Sequence, residues 1–110
     1  MAIRDTDLRI FPLEGEWDIS RYNELRALIQ SATEEPNVVF DMTRVSYMDS
    51  HCLAFLVRNR AQRVAAGYRP ARLVVTNPYV RRVLSITGFD ELWDVYETLD
   101  EALAESEILR

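Results

Sequence analysis

Apolar positions along the chain fall into two alternating kinds of block, short strand-like runs and longer stretches at helical spacing. Leu8 and Ile10 flank Arg9 at the start of the first block, Leu8 to Leu13, the alternation of a half-buried strand. Pro12 cannot donate a ladder hydrogen bond, so this strand is expected at an edge or with a bulge there, and Gly15 is expected to end it. Tyr22, Leu25, Leu28 and Ile29 then recur at the helical period. They predict a helix from Ser20 to about Glu34, capped by Asp18 or Ser20 and closed by Glu34-Glu35-Pro36, because the residue before proline avoids helical dihedrals. Asn37 to Met42 is a nearly continuous apolar run, the signature of a strand buried on both faces and therefore central.

A polar loop, Thr43 to Tyr47, is expected next, leading through Met48 to Asp49 and Ser50 at the head of a second helix, His51 to about Ala66. Leu53, Leu56, Val57, Ala61 and Val64 form its apolar stripe, and Phe55 falls roughly opposite. Arg60 lies within the stripe, so its stem should run along the sheet with the guanidinium escaping or paired. Gly67 is placed to end the helix with a left-handed residue. Arg72 to Thr76 reads as a strand, and Asn77-Pro78 as cap and first turn of a helix, Tyr79 to Ile86, that Thr87-Gly88 stops. Leu92 to Tyr96 is the last strand, with at least one aromatic expected on an open side. Thr98 to Leu109 reads as a final helix, capped by Thr98 or Asp100, with Leu99, Leu103 and Ile108 as docking positions.

Strands that alternate with helices imply parallel pairing with right-handed crossovers, the first strand being free to pair differently. The fold class expected is α/β: one domain over residues 1–110, with a mixed, mostly parallel sheet of about four strands and about four helices. In an open sheet of this kind, functional residues gather in loops beyond the carboxyl ends of strands, and Asp49 to Cys52 occupy such an end.

Four pieces of sequence in order carry a family resemblance. They are Gly15-Glu16-Trp17-Asp18, the long motif VVFDMTRVSYMDSHCLAFL from Val38 to Leu56, Asn77-Pro78-Tyr79-Val80-Arg81-Arg82-Val83-Leu84, and Thr87-Gly88-Phe89-Asp90-Glu91-Leu92. Together they resemble STAS domains, specifically the bacterial anti-sigma factor antagonists, over the whole chain from Leu8 onward. Family members usually carry another strand before the first one here, which the seven residues ahead of Leu8 would make short or absent. The resemblance implies a protein that binds a kinase-type anti-sigma factor and so releases a sigma factor, switching partners by phosphorylation, and a cytoplasmic location is the default expected without an apolar run of signal-peptide length. It departs from the family at the switch. Phosphorylated antagonists read Asp-Ser-Ser-Gly or Asp-Ser-Thr-Gly, with the acceptor hydroxyl next to the glycine. Here the residues are Asp49-Ser50-His51-Cys52, so His51 stands at the acceptor position and Cys52 at the glycine. Loss of the usual switch follows, with Ser50 the nearest surviving hydroxyl and a candidate for phosphorylation at a shifted position.

The expected partner surface is Asp49, Ser50, His51, Cys52 and Phe55 with the adjoining Thr43 to Tyr47 loop. Asp49 and Ser50 also serve locally as helix caps, Phe55 also suits packing on a neighbouring loop or helix, and Cys52 also suits a small buried side chain. His51 offers a pH response or an imidazole phosphate acceptor. The runner-up within the fold is an accessory or scaffold STAS subunit of a lipid-transport ATPase or stress-signalling complex. From another class comes a thiol sensor that uses Cys52.

Composition narrows the field. Hydrophobic residues make up 48% and charged residues 28%, a globular balance, and no apolar run reaches the length of a membrane span or signal peptide. One cysteine and one histidine exclude an intramolecular disulfide and argue against a metal site. A net charge of -5 disfavours a nucleic-acid ligand, and the local arginines from Arg58 to Arg72 read as a solvated face. Ser50, His51 and Cys52 are sequence neighbours that diverge around a helix, so they make no catalytic triad. Without a phosphate-binding glycine motif either, neither enzyme activity nor a cofactor is expected. An exposed aromatic on the last strand would suit a homodimer, as a docked helix would equally explain it.

Overall fold

The computed structural model describes the backbone of residues 8–108 and the side chains of residues 8–104, so Met1 to Asp7 and the docking of Ile108 lie outside the described residues. Strands β1 (Leu8–Trp17), β2 (Asn37–Met48), β3 (Arg72–Val74) and β4 (Asp94–Tyr96) alternate with helices α1 (Tyr22–Ala32), α2 (Ser50–Ala65), α3 (Pro78–Thr87) and α4 (Leu99–Ile108). Short 3-10 turns, Ile19–Arg21 and Phe89–Glu91, lead into α1 and toward β4. Among the described residues the sheet order is β1-β2-β3-β4 and every neighbouring pair is parallel, so β1 pairs like the rest and no described strand makes the sheet mixed.

This order decides which face each helix covers. The strands follow one another in a single direction, so crossovers of one hand must lay their helices on one face. Leu25 and Ile29 of α1, Leu53 and Leu56 of α2, and Val80 and Leu84 of α3 accordingly join Val38, Phe40 and Leu73 in one buried cluster. Side chains alternate across a strand, so Val39 and Val74 turn to the other face. There they meet Ala102, with Leu99 and Tyr96 packed alongside. The last strand therefore shows no open aromatic: Tyr96 is half-buried beside α4, and Trp93, just before β4, is buried.

Strand β2 runs through the segment expected to be a polar loop, and β1 runs through Gly15 to Trp17. Beyond Asp41 the register of β2 is with β1 alone, and it shifts twice, between Pro12 and Glu14 and between Gly15 and Glu16. The shifts explain the misreading. Met42, Val45 and Met48 are the buried positions there, a spacing of three that no regular strand alternation displays.

The inward face of α2 also differs from its apolar stripe. Cys52, Leu53, Leu56, Asn59 and Arg63 are buried, whereas Ala61 and Val64 are exposed. Burying an unpaired guanidinium would cost several kcal/mol, so Arg63 must find acceptors. Its Nη1 donates to the carbonyls of Ala32 at 2.8 Å and Glu35 at 2.5 Å, and its Nε donates to the Arg69 carbonyl at 3.0 Å. Ala32 is the last residue of α1, so Arg63 adds a donor at a helix end whose carbonyls lack intrahelical partners. Arg72, 1% exposed, similarly donates to the Ala102 carbonyl at 2.6 Å and to Asn37 Oδ1 at 2.7 Å, tying α4 and β2 to β3. Arg60 is paired as its position requires, through Nε to the Leu92 carbonyl.

Candidate functional site

The β1–α1 and β2–α2 connections lie side by side at the carboxyl end of the sheet, joined by the Asp49 amide donating to the Trp17 carbonyl at 3.1 Å. Each carries an acidic cap. Asp18 Oδ1 accepts from the Ser20 amide at 2.9 Å and the Ser20 hydroxyl at 2.6 Å, and the hydroxyl bond is the main reason that its pKa is lowered. Asp49 Oδ1 accepts from the Cys52 amide at 2.8 Å, in the manner of a helix N-cap, while Oδ2 accepts from the Tyr22 hydroxyl at 2.9 Å. Partial burial works to raise the Asp49 pKa, but bonds from the Cys52 amide and Tyr22 outweigh it and the carboxyl lies below its ordinary value.

Tyr22 is the hinge of the corner and the residue that sequence reasoning assigned only to packing. Its ring lies edge-on to Phe55 at 5.5 Å and beside His51 at 5.8 Å, so the first turns of α1 and α2 share one aromatic cluster. Desolvation first, then the bond to Asp49, pushes the Tyr22 hydroxyl up to about 12. It is a hydrogen-bond donor at any ordinary pH. The available signal was its place in the first turn after an Asp-x-Ser cap, one helix away from Asp49.

Of the residues expected at the surface, Ser50 and His51 are exposed, Asp49 and Phe55 are half-buried, and Cys52 is not at the surface. Cys52 is 0% exposed, and desolvation followed by the nearby Asp49 carboxylate pushes its thiol up to about 12. That environment is the reverse of the one that activates a thiolate and suits a small buried side chain.

Around this corner lie further apolar side chains open to solvent. Ile19 is 76% exposed directly after Asp18, and Tyr47 stacks on Tyr79 at 6.0 Å, linking β2 to the head of α3. The approach of β1 is held by Arg21, whose guanidinium covers the Trp17 ring at 3.5 Å and whose Nη1 donates to the Glu14 and Glu16 carbonyls at 2.8 and 3.1 Å. Gly15 permits this. Its φ is +86°, and a Cβ there would stand 3.3 Å from Arg21 Nη1.

The chemistry open to this corner is recognition: hydroxyl, imidazole and aromatic groups displayed on two anchored helix starts. Among the described residues no group of three or more His, Cys, Asp or Glu side chains could hold a metal ion, and no helix is long and apolar enough to cross a membrane.

Comparison with known proteins extends over almost the whole chain. A sequence model of the STAS domain matches residues 1–102. The fold is similar to that of an anti-sigma factor antagonist from Mycobacterium paratuberculosis, with TM-score 0.83, 24% identity, and coverage of 97% of this chain and 92% of that one. A candidate anti-sigma factor antagonist from Thermotoga maritima gives TM-score 0.82 and 25% identity, covering 96% of this chain and 91% of its own. A sulfate transporter family protein from Wolinella succinogenes matches with TM-score 0.77 and 18% identity, over 97% and 90% of the two chains.

Proposed function

From the premise that the chain belongs to the STAS domain family, we propose that it is an anti-sigma factor antagonist that works in the cytoplasm by binding a kinase-type anti-sigma factor, without the usual phosphoswitch. The observation that carries this reading is the exposed Ser50-His51 turn, held in place by Asp49 and Tyr22 and flanked by Phe55. Solved structures of similar fold bear the antagonist description, which supports the partner class.

The mechanism is competition between proteins. The anti-sigma factor that grips this corner cannot also hold its sigma factor. In phosphorylated relatives, a phosphate adds about -1.5 to -2 charge to the packed interface and separates the partners. His51 gives a serine/threonine kinase no hydroxyl at that position, so binding persists until competition or partner abundance ends it. The protein acts by occupancy and performs no catalysis.

Asp49→Asn and Asp49→Ala separate the structural from the functional role. Asparagine caps helices as well as aspartate does, whereas alanine costs about 1 kcal/mol. Affinity purification from the native cell, with intact mass of the bait, is expected to recover a kinase-like anti-sigma factor on unmodified wild type and to lose it on the folded Asp49→Asn variant. Recovery of a stable transporter or scaffold complex in its place sinks the proposal in favour of an accessory subunit.

A further inference from the structure

A cleft of about 220 Å³ runs between α1 and α2, floored by Ile29 and Phe55 and edged by Gln30 and Gln62. Two guanidiniums converge on it. Arg26 of α1 and Arg58 of α2 each stand 5.7 Å from the centre of the Phe55 ring. Among the described residues neither has an ion pair or a hydrogen bond, although Arg9, Arg21, Arg44 and Arg69 each have a carboxylate within 4.0 Å. No acid lines the cleft, and Glu34 lies only in the adjoining hollow past Gln30 and Gln62. In a chain of net charge -5, this is a local positive spot with an apolar floor.

Two like charges held over one ring repel each other, and the ring faces offset only part of that cost. An anion between them relieves it, and a guanidinium takes a carboxylate through paired N–H donors. Because the floor is aromatic and aliphatic and the edges are amides, the ligand that fits carries apolar side chains next to its carboxylates. We propose that the α1–α2 cleft binds an acidic segment of a protein partner, one or two carboxylates seated between Arg26 and Arg58 with a neighbouring apolar side chain on Phe55 and Ile29. The proposal deepens the reading above, since Phe55 also touches Tyr22 at the corner and the two surfaces are continuous.

The test is a titration of the full chain, followed by amide NMR shifts, with the acetylated peptide Glu-Leu-Glu-Glu-Leu-Glu and its all-glutamine counterpart. Saturable shifts are expected at Arg26, Ile29, Gln30, Phe55, Arg58 and Gln62 with the acidic peptide alone. The double variant Arg26→Glu/Arg58→Glu, both positions being exposed, is expected to bind at least about ten times more weakly, with wild-type affinity falling as salt rises. Equal binding of the glutamine peptide, equal binding by the double variant, or shifts that never saturate would each overturn the cleft. Displacement of the peptide by an equal concentration of inorganic phosphate would do so too, by showing an oxyanion site. An anti-sigma factor still recovered by a chain blind to the acidic peptide leaves the corner reading standing while the cleft falls.

Discussion

The Tyr22 hydroxyl donates to Asp49 Oδ2 at 2.9 Å across 27 residues of sequence, and Asp49 Oδ1 caps α2. One carboxylate therefore fixes the start of α2 against the start of α1. Its pKa is lowered in the fold, the hydrogen bonds overcoming the desolvation that opposes them. A carboxyl so depressed contributes stability that is present above the unfolded value, near about 3.9, and disappears as pH falls through the folded value. Tyr22→Phe removes one donor. The variant is expected to show a higher Asp49 pKa by carboxyl-carbon NMR and to begin acid unfolding at a higher pH. Identical titrations of the two proteins would assign the whole effect to the Cys52 amide.

Gly15 and Gly67 have similar positive φ values, +86° and +92°, but only at Gly15 does an added Cβ meet another group, Arg21 Nη1 at 3.3 Å. Alanine at either site pays the left-handed penalty of about 1–2 kcal/mol. Gly15→Ala additionally requires Arg21 Nη1, which donates to the Glu14 and Glu16 carbonyls, to give way by a few tenths of an ångström. Urea midpoints are expected to fall for both variants and further for Gly15→Ala. A smaller fall at Gly15 would mean that the Arg21 clamp moves freely and contributes nothing.

The Cys52 thiol, buried and pushed up to about 12, predicts slow alkylation of the folded protein. At pH 8 its thiolate fraction is about a thousandfold below that of a free cysteine with pKa about 8.5. Iodoacetamide is expected to label it at a rate that follows unfolding and rises steeply in urea. Labelling in native buffer as fast as a model peptide would restore the thiol-sensor reading.

How much of this was legible in the sequence depends on what each signal measures. The run from Asn37 to Met42 announced a central strand because burial on both faces makes it nearly continuous in apolar residues, with Asp41 the one charged interruption. Glycine and the Asn77-Pro78 cap were equally readable, since Gly67, Gly88 and Pro78 act through backbone geometry alone. The second half of β2 was hidden because bulges break its alternation, and Val45 and Met48 fall three apart where a strand pattern is sought at two. Arg63 was hidden for another reason. A residue's type says that burial is costly, but only the fold shows that the α1 carboxyl end is placed to offset the cost. At the site, Asp49 and Ser50 were legible as a helix head, while Tyr22 is visible only once two connections lie side by side.

His51 is exposed in the first turn of α2, where the family resemblance implies the acceptor hydroxyl of phosphorylated antagonists would stand. A phosphate there would sit at the positive end of the α2 dipole, which favours negative charge, so the repulsion would fall on the partner. His51→Ser supplies the missing hydroxyl. Incubated with ATP and the kinase-type anti-sigma factor proposed as its partner, the variant is expected to gain one phosphate by intact mass and then to release that protein, while wild type gains none and stays bound. Phosphate on wild-type Ser50 would instead show a working switch moved by one residue. Because successive helical residues point about 100° apart, the kinase would then have to approach this corner from a different side.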